Sequence, residues 1–222
     1  MEYLNKENTF IHQFDQTIIG IAPIQGTSEE LLSQLERKEW YLPKLQEMGE
    51  KRKREWLAAR VLLKQLIAEE KEILYTDSGK PYLADESYFI SISHTKGYIS
   101  LILDEKKSVG IDIEYISSRV EKIQKRFVNE EEEKNISKKH PLIHLLLHWS
   151  AKEALFKLLE ENDIEFKTQL HINSFEPELE KVSSFTAYET RTSKQQTFCV
   201  NYIVTKEYVL TFALIPKHRS VF

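Results

Sequence analysis

Asp112 and Glu114 stand two residues apart in SVGIDIEYI, residues 108–116. Val109, Ile111 and Ile113 alternate with Gly110, Asp112 and Glu114, the period of a β-strand with one apolar face. Both carboxylates then leave the other face side by side, where they repel each other and where strand propensity disfavours aspartate. The pair fits either a wet strand face or a cation site. About 40 residues later, Glu153 and Lys157 are four apart, in the favourable order for a helical ion pair. Leu142, Leu146, Trp149, Glu153 and Phe156 follow helical spacing, which predicts an apolar stripe with Glu153 inside it. A carboxylate there is costly unless it is paired, hydrogen-bonded or metal-bound. Mg²⁺ takes one to a few carboxylates and completes its shell with water and phosphate oxygens, and a lysine adds charge to a phosphate oxygen. The four residues therefore suit metal-assisted phosphoryl chemistry.

The elements that would carry them recur. REWLAARVLLK (54–64) aligns without a gap on LHWSAKEALFK (147–157), matching Trp56, Ala58, Leu62 and Lys64 to Trp149, Ala151, Leu155 and Lys157. Upstream, IIGIAPI (18–24) resembles SVGIDIE (108–114), with Gly20 under Gly110. Downstream, FISISHTKGYISLIL (89–103) resembles FCVNYIVTKEYVLTFAL (198–214), each with Thr-Lys-x-Tyr between two alternating apolar runs, a hairpin signal. Each half reads strand, helices, hairpin. The expected fold is α+β: two similar lobes related by a pseudo-twofold, each a small sheet packed with helices, with domains 1–104 and 105–222. The acids do not recur, since Asp112 and Glu114 align with Ala22 and Ile24, and Glu153 with Arg60.

Bulk properties narrow the class. The 222 residues carry 31 Lys plus Arg against 35 Asp plus Glu, a net charge of −4 that gives no general attraction for nucleic acid or an anionic membrane. One cysteine, Cys199, excludes an internal disulfide and a cysteine zinc cage. MEYLNKENTF lacks a signal layout, and no apolar run approaches the roughly 20 residues that span a bilayer. A cytoplasmic protein is expected, and an internal repeat makes a monomer the natural state.

GIDIE followed by WSAKEALFK resembles the 4′-phosphopantetheinyl transferases, specifically the monomeric two-lobed surfactin-synthetase type. GKPY (79–82), SISHT (91–95) and RFVNEEE (126–132) are similar to further motifs of that family, in the same order. The resemblance implies transfer of 4′-phosphopantetheine from coenzyme A to a serine of an apo acyl or peptidyl carrier protein, releasing 3′,5′-ADP. It implies Mg²⁺ (with Mn²⁺ as a substitute) on Asp112, Glu114 and Glu153, and coenzyme A in a cleft between the lobes. By the same resemblance Glu153 would be metal ligand, general base (directly or through water) or both, two roles that a single carboxylate does not easily combine, and Lys157 would contact the pyrophosphate or steer the nucleophile. His94 would bond the 3′-phosphate, with Lys80 and Ser93 nearby. Lys51 falls at a basic coenzyme A contact, with Arg52 and Arg54 as rivals. Ser91 stands where family members often carry Asn.

Other readings stay beside these. The acid set could serve a Mg²⁺-dependent nuclease, against which the net acidity counts, or the chain could bind coenzyme A or a carrier without catalysis. SSRVEKIQKRF (117–127) is basic and could dock an acidic carrier through Lys122, Lys125 and Arg126, or be a plain amphipathic helix. His140, His144 and His148 recur every four residues, but no acid or cysteine completes a metal set. NEEEEK (129–134) reads as a solvated helix face, Trp56 and Trp149 as core, and Cys199 as inert.

Overall fold

The structure is a computed structural model that describes residues 3–6, 9–159, 163–193 and 195–216. Part of the opening MEYLNKENTF thus lies outside the described residues. The chain divides into two compact units, 1–107 and 108–222, three residues past the expected boundary at 104/105, so that Glu105, Lys106 and Lys107 fall in the first unit. Both are mixed α+β.

The first unit holds β1 (Tyr3–Lys6), β2 (Thr9–Phe14), β3 (Thr17–Pro23), α1 (Ser28–Ser33), α2 (Lys38–Leu45), α3 (Glu50–Ile67), β4 (Ile73–Tyr75), β5 (Pro81–Leu83), β6 (Phe89–Thr95) and β7 (Tyr98–Asp104). Its main sheet runs β1-β2-β3-β7-β6, antiparallel throughout, and β4-β5 form a separate hairpin. Helix α3 covers the sheet with Leu57, Leu62 and Leu63, which join Ile99, Leu101 and Leu103 in one core. Gly20 permits that approach, since a Cβ there would lie 2.8 Å from Leu66 Cδ1 and 3.0 Å from Leu62 Cδ1.

The second unit contains β8 (Lys107–Tyr115), a 3-10 run over Ser118–Arg126, α4 (Glu130–Lys134), α5 (Pro141–Leu159), α6 (Phe166–Gln169), β9 (Leu170–Ile172), β10 (Val182–Glu189), β11 (Thr197–Val204) and β12 (Tyr208–Pro216). The sheet order is β8-β12-β11-β10-β9. Pro141 opens α5, where a missing N–H costs little. Helix α5 packs on β12 and lies close over Gly110, where an added Cβ would be 2.1 Å from the Ala154 carbonyl oxygen.

The aligned segments occupy matching places within their own units. Glycine strand β3 neighbours β7, which neighbours β6; glycine strand β8 neighbours β12, which neighbours β11. Both Thr-Lys-x-Tyr segments are hairpin turns: Thr95 faces Tyr98 in the ladder, and Thr205 N–H donates to the Tyr208 carbonyl at 2.9 Å.

Several local expectations change. Strand β8 has no wet face: Gly110 and Asp112 are as buried as Val109, Ile111 and Ile113. The expected stripe splits: Leu146 lies in the core with Leu145, Leu147, Ala151, Ala154, Leu155 and Leu158, while Leu142, Trp149, Glu153 and Phe156 form a half-exposed flank of α5. The basic segment is a 3-10 run with Val120 as its buried residue, not an amphipathic α-helix. NEEEEK is not simply solvated. Asn129 caps α4 in a capping box with Glu132, and Glu132 is 3% exposed. Its carboxylate pairs at 2.9 Å with the ammonium of Lys152, which is fully buried and also donates to the carbonyls of Phe127 and Phe166. Breaking such a pair on one side costs about 3–5 kcal/mol. His144 and His148 are core residues packed on Phe175, with Ser137 N–H donating to His144 Nδ1 at 2.8 Å.

Candidate active site

Gly110, Asp112 and Glu114 share the β8 face that α5 approaches, as alternation along a strand requires. The carboxylates therefore meet a helix rather than water. Asp112 is 4% exposed, and its Oδ1 accepts from Lys157 Nζ at 2.8 Å. Lys157 also donates to the Ile111 carbonyl at 3.1 Å. Ser150 ties the same turn of strand to α5 and to β12: its hydroxyl lies 3.3 Å from the Asp112 carbonyl and 2.9 Å from the Thr211 hydroxyl.

Glu114 Oε1 accepts from the Trp149 indole Nε1 at 2.7 Å. Trp149 was expected in the core; it is half-buried, edge-on to Phe127 and tilted against Phe166. Its ring packs while its N–H fixes a carboxylate, a double use that apolar periodicity does not reveal.

Glu153, one turn beyond Trp149, is half-buried on the same flank as Lys157. Burial, then the charge of Asp112, pushes the Glu153 carboxyl up to about 7, against the opposing pull of Lys157. Burial and Asp112 also push Glu114 up to about 7, with Glu153 adding to the rise and the Trp149 hydrogen bond opposing it. Asp112 thus acts on both glutamates. Three carboxylates against one ammonium leave excess negative charge in a water-poor setting.

That charge balance fits a divalent cation. Among the described residues no three His, Cys, Asp or Glu side chains close into a ready-made metal cage. Mg²⁺ does not need one, because it keeps several waters and uses few protein oxygens. Asp112, Glu114 and Glu153 supply hard oxygen donors only, the type Mg²⁺ selects.

Apart from Lys157, the residues that the resemblance assigns to coenzyme A lie in the first unit. GKPY sits on the β4-β5 turn, where Thr76 Oγ1 accepts from Lys80 N–H at 3.1 Å and Gly79 takes φ +82°. Ser93 on β6 is 6% exposed, and its carbonyl accepts from Ser100 Oγ at 3.2 Å. His94, the next residue, turns outward, and its Nε2 lies 3.4 Å from Glu55 Oε2 on α3. Lys51, in the first turn of α3, is 3.8 Å from the other Glu55 oxygen. Of its rivals, Arg54 is committed to the Ile24 carbonyl at 3.1 Å, while Arg52 is exposed. Glu55, which holds two of these residues, was not singled out in the sequence, where it is one more charge in EKRKRE.

Residues 108–213 match the family model of the 4′-phosphopantetheinyl transferase superfamily. Among curated proteins, the 4′-phosphopantetheinyl transferase AcpT of Escherichia coli O157:H7 is 39% identical over 69 residues, 31% of this chain and 35% of that protein. AcpT of Salmonella typhi is 38% identical over 69 residues, 36% of its length. The matched stretch thus spans about a third of these relatives. No helix among the described residues is long and apolar enough to cross a membrane.

Proposed function

From the match of residues 108–213 to the 4′-phosphopantetheinyl transferase superfamily, we propose that this chain moves 4′-phosphopantetheine from coenzyme A to a serine of an apo carrier protein. The observation that carries the proposal is the convergence of Asp112, Glu114 and Lys157 with Glu153 inside the matched stretch.

Asp112, Glu114 and Glu153 would hold Mg²⁺, which neutralises phosphate oxygens as they gain charge in the transition state. The serine oxygen forms a bond to the phosphorus that bears pantetheine. The bond from that phosphorus to the 3′,5′-ADP oxygen breaks, and the ADP leaves with the electron pair. The serine proton passes to Glu153, directly or through water. Lys157, fixed against Asp112 and the Ile111 carbonyl, brings its positive charge to the pyrophosphate. Trp149 keeps Glu114 from swinging out of the set. Lys51, Lys80, Ser93 and His94 take the nucleotide end of coenzyme A. The exposed Lys122, Lys125 and Arg126 receive the acidic surface of the carrier. The internal repeat supports a monomer.

The test is the intact mass of apo carrier proteins after incubation with the chain, coenzyme A and Mg²⁺, with EDTA as control, at low and high salt. The expected result is a metal-dependent gain of one phosphopantetheine, slower at high salt. No gain on carriers from fatty-acid, polyketide and peptide pathways would overturn the reading in favour of a binding protein.

A further inference from the structure

Glu55 sits between two residues matched to coenzyme A, although a carboxylate repels phosphate. Its side chain is 14% exposed, so it is held in a poorly hydrated position. The two contacts differ in weight. Lys51 is 90% exposed, 3.8 Å away, and precedes Glu55 in the less favourable order for a helical pair. An exposed pair of that kind contributes at most a few tenths of a kcal/mol. His94 reaches Glu55 from a different element, strand β6, at 3.4 Å from Nε2. A carboxylate against one ring nitrogen sets the plane of an imidazole and decides which edge it presents to a ligand.

We propose that Glu55 is a positioning residue for the nucleotide end of coenzyme A: its carboxylate on α3 orients the His94 ring on β6 toward the 3′-phosphate. This rests on the transferase reading and assigns a specificity role to a residue outside the acid set. It also accounts for an acidic side chain in the otherwise basic stretch KRKR before Trp56.

Glu55→Ala and Glu55→Gln are compared with the parent chain using coenzyme A and 3′-dephospho-coenzyme A, alongside thermal unfolding. With Glu55→Ala, KM for coenzyme A rises about tenfold, the order of losing one well-placed hydrogen bond to a charged group. kcat and KM for the dephospho form stay within about twofold, and Glu55→Gln, which keeps an acceptor, recovers part of the loss. In a cycle with His94→Ala the double variant is no worse than His94→Ala alone. Equal losses for both substrates, tracking a lower Tm, would make the residue merely structural and overturn the proposal. So would tighter coenzyme A binding on removing Glu55, the result expected of a carboxylate that only repels. No turnover by the parent chain with either substrate would instead sink the transferase reading; direct titration of the two nucleotides against parent and Glu55→Ala then decides the Glu55 proposal.

Discussion

Glu114 and Glu153 share an unusual state for surface-accessible carboxyls, both pushed up to about 7 by burial and by Asp112. Without metal, each holds about half a proton at pH 7. A cation on these oxygens must expel those protons. Mg²⁺ binding should therefore release roughly one proton in total at pH 7, with affinity rising from pH 6 to pH 8. Titration calorimetry in buffers of different ionisation enthalpy measures this directly. A heat independent of buffer would mean that the cation does not displace protons from these carboxylates.

At the scale of elements, the acid set depends on how closely α5 lies on β8. Gly110 sets that distance: an added Cβ meets the Ala154 carbonyl oxygen, a backbone atom that moves only with the helix. Gly20 plays the same part under α3, but its added Cβ meets the methyl ends of Leu66, which can change rotamer. Gly110→Ala should cost about 1–3 kcal/mol in urea unfolding and weaken Mg²⁺ binding, while Gly20→Ala costs less than about 1 kcal/mol. Equal costs at the two positions would show that strand β8 and α5 are not packed as tightly as described.

The β8 alternation, the hairpins and the start of α5 at Pro141 were legible because each rests on a local period or a local backbone rule. Which flank of α5 is buried was not. The run LIHLLLHWSAKEALFKLL is apolar almost all round, so periodicity gives no direction, and the outward choice came from what β8 and β12 present.

For the molecule as a whole, pH acts on the second unit with two opposite signs. His144 is lowered to about 4 and His148 well below 6.5, chiefly by burial. The unfolded chain then binds more protons in that window, so the histidines withdraw stability as pH falls from about 6.5 toward 4. The raised glutamates do the reverse without metal, withdrawing stability as pH climbs from about 4.5 through 7. With Mg²⁺ bound the second effect is suppressed. In Mg²⁺ buffer, the stability of His148→Phe relative to the parent should therefore rise as pH drops from 7.5 to 5. A constant difference across that range in urea titrations would mean His148 is not held neutral.

Residue types and spacing alone determined the chemistry on offer: a strand pair of acids, a helical Glu-x-x-x-Lys, a doubled strand–helix–hairpin plan and the family whose motifs they resemble. Such signals are local, because backbone periodicity and short spacings are written within a few residues of one another. Only the tertiary structure decided which side chains meet. Trp149 with Glu114, Lys152 with Glu132 and Glu55 with His94 each join residues at least 20 apart in sequence. In each of these pairs a charged side chain is held where hydration is poor, so it must find its partner among groups brought near by packing, which spacing along the chain does not encode.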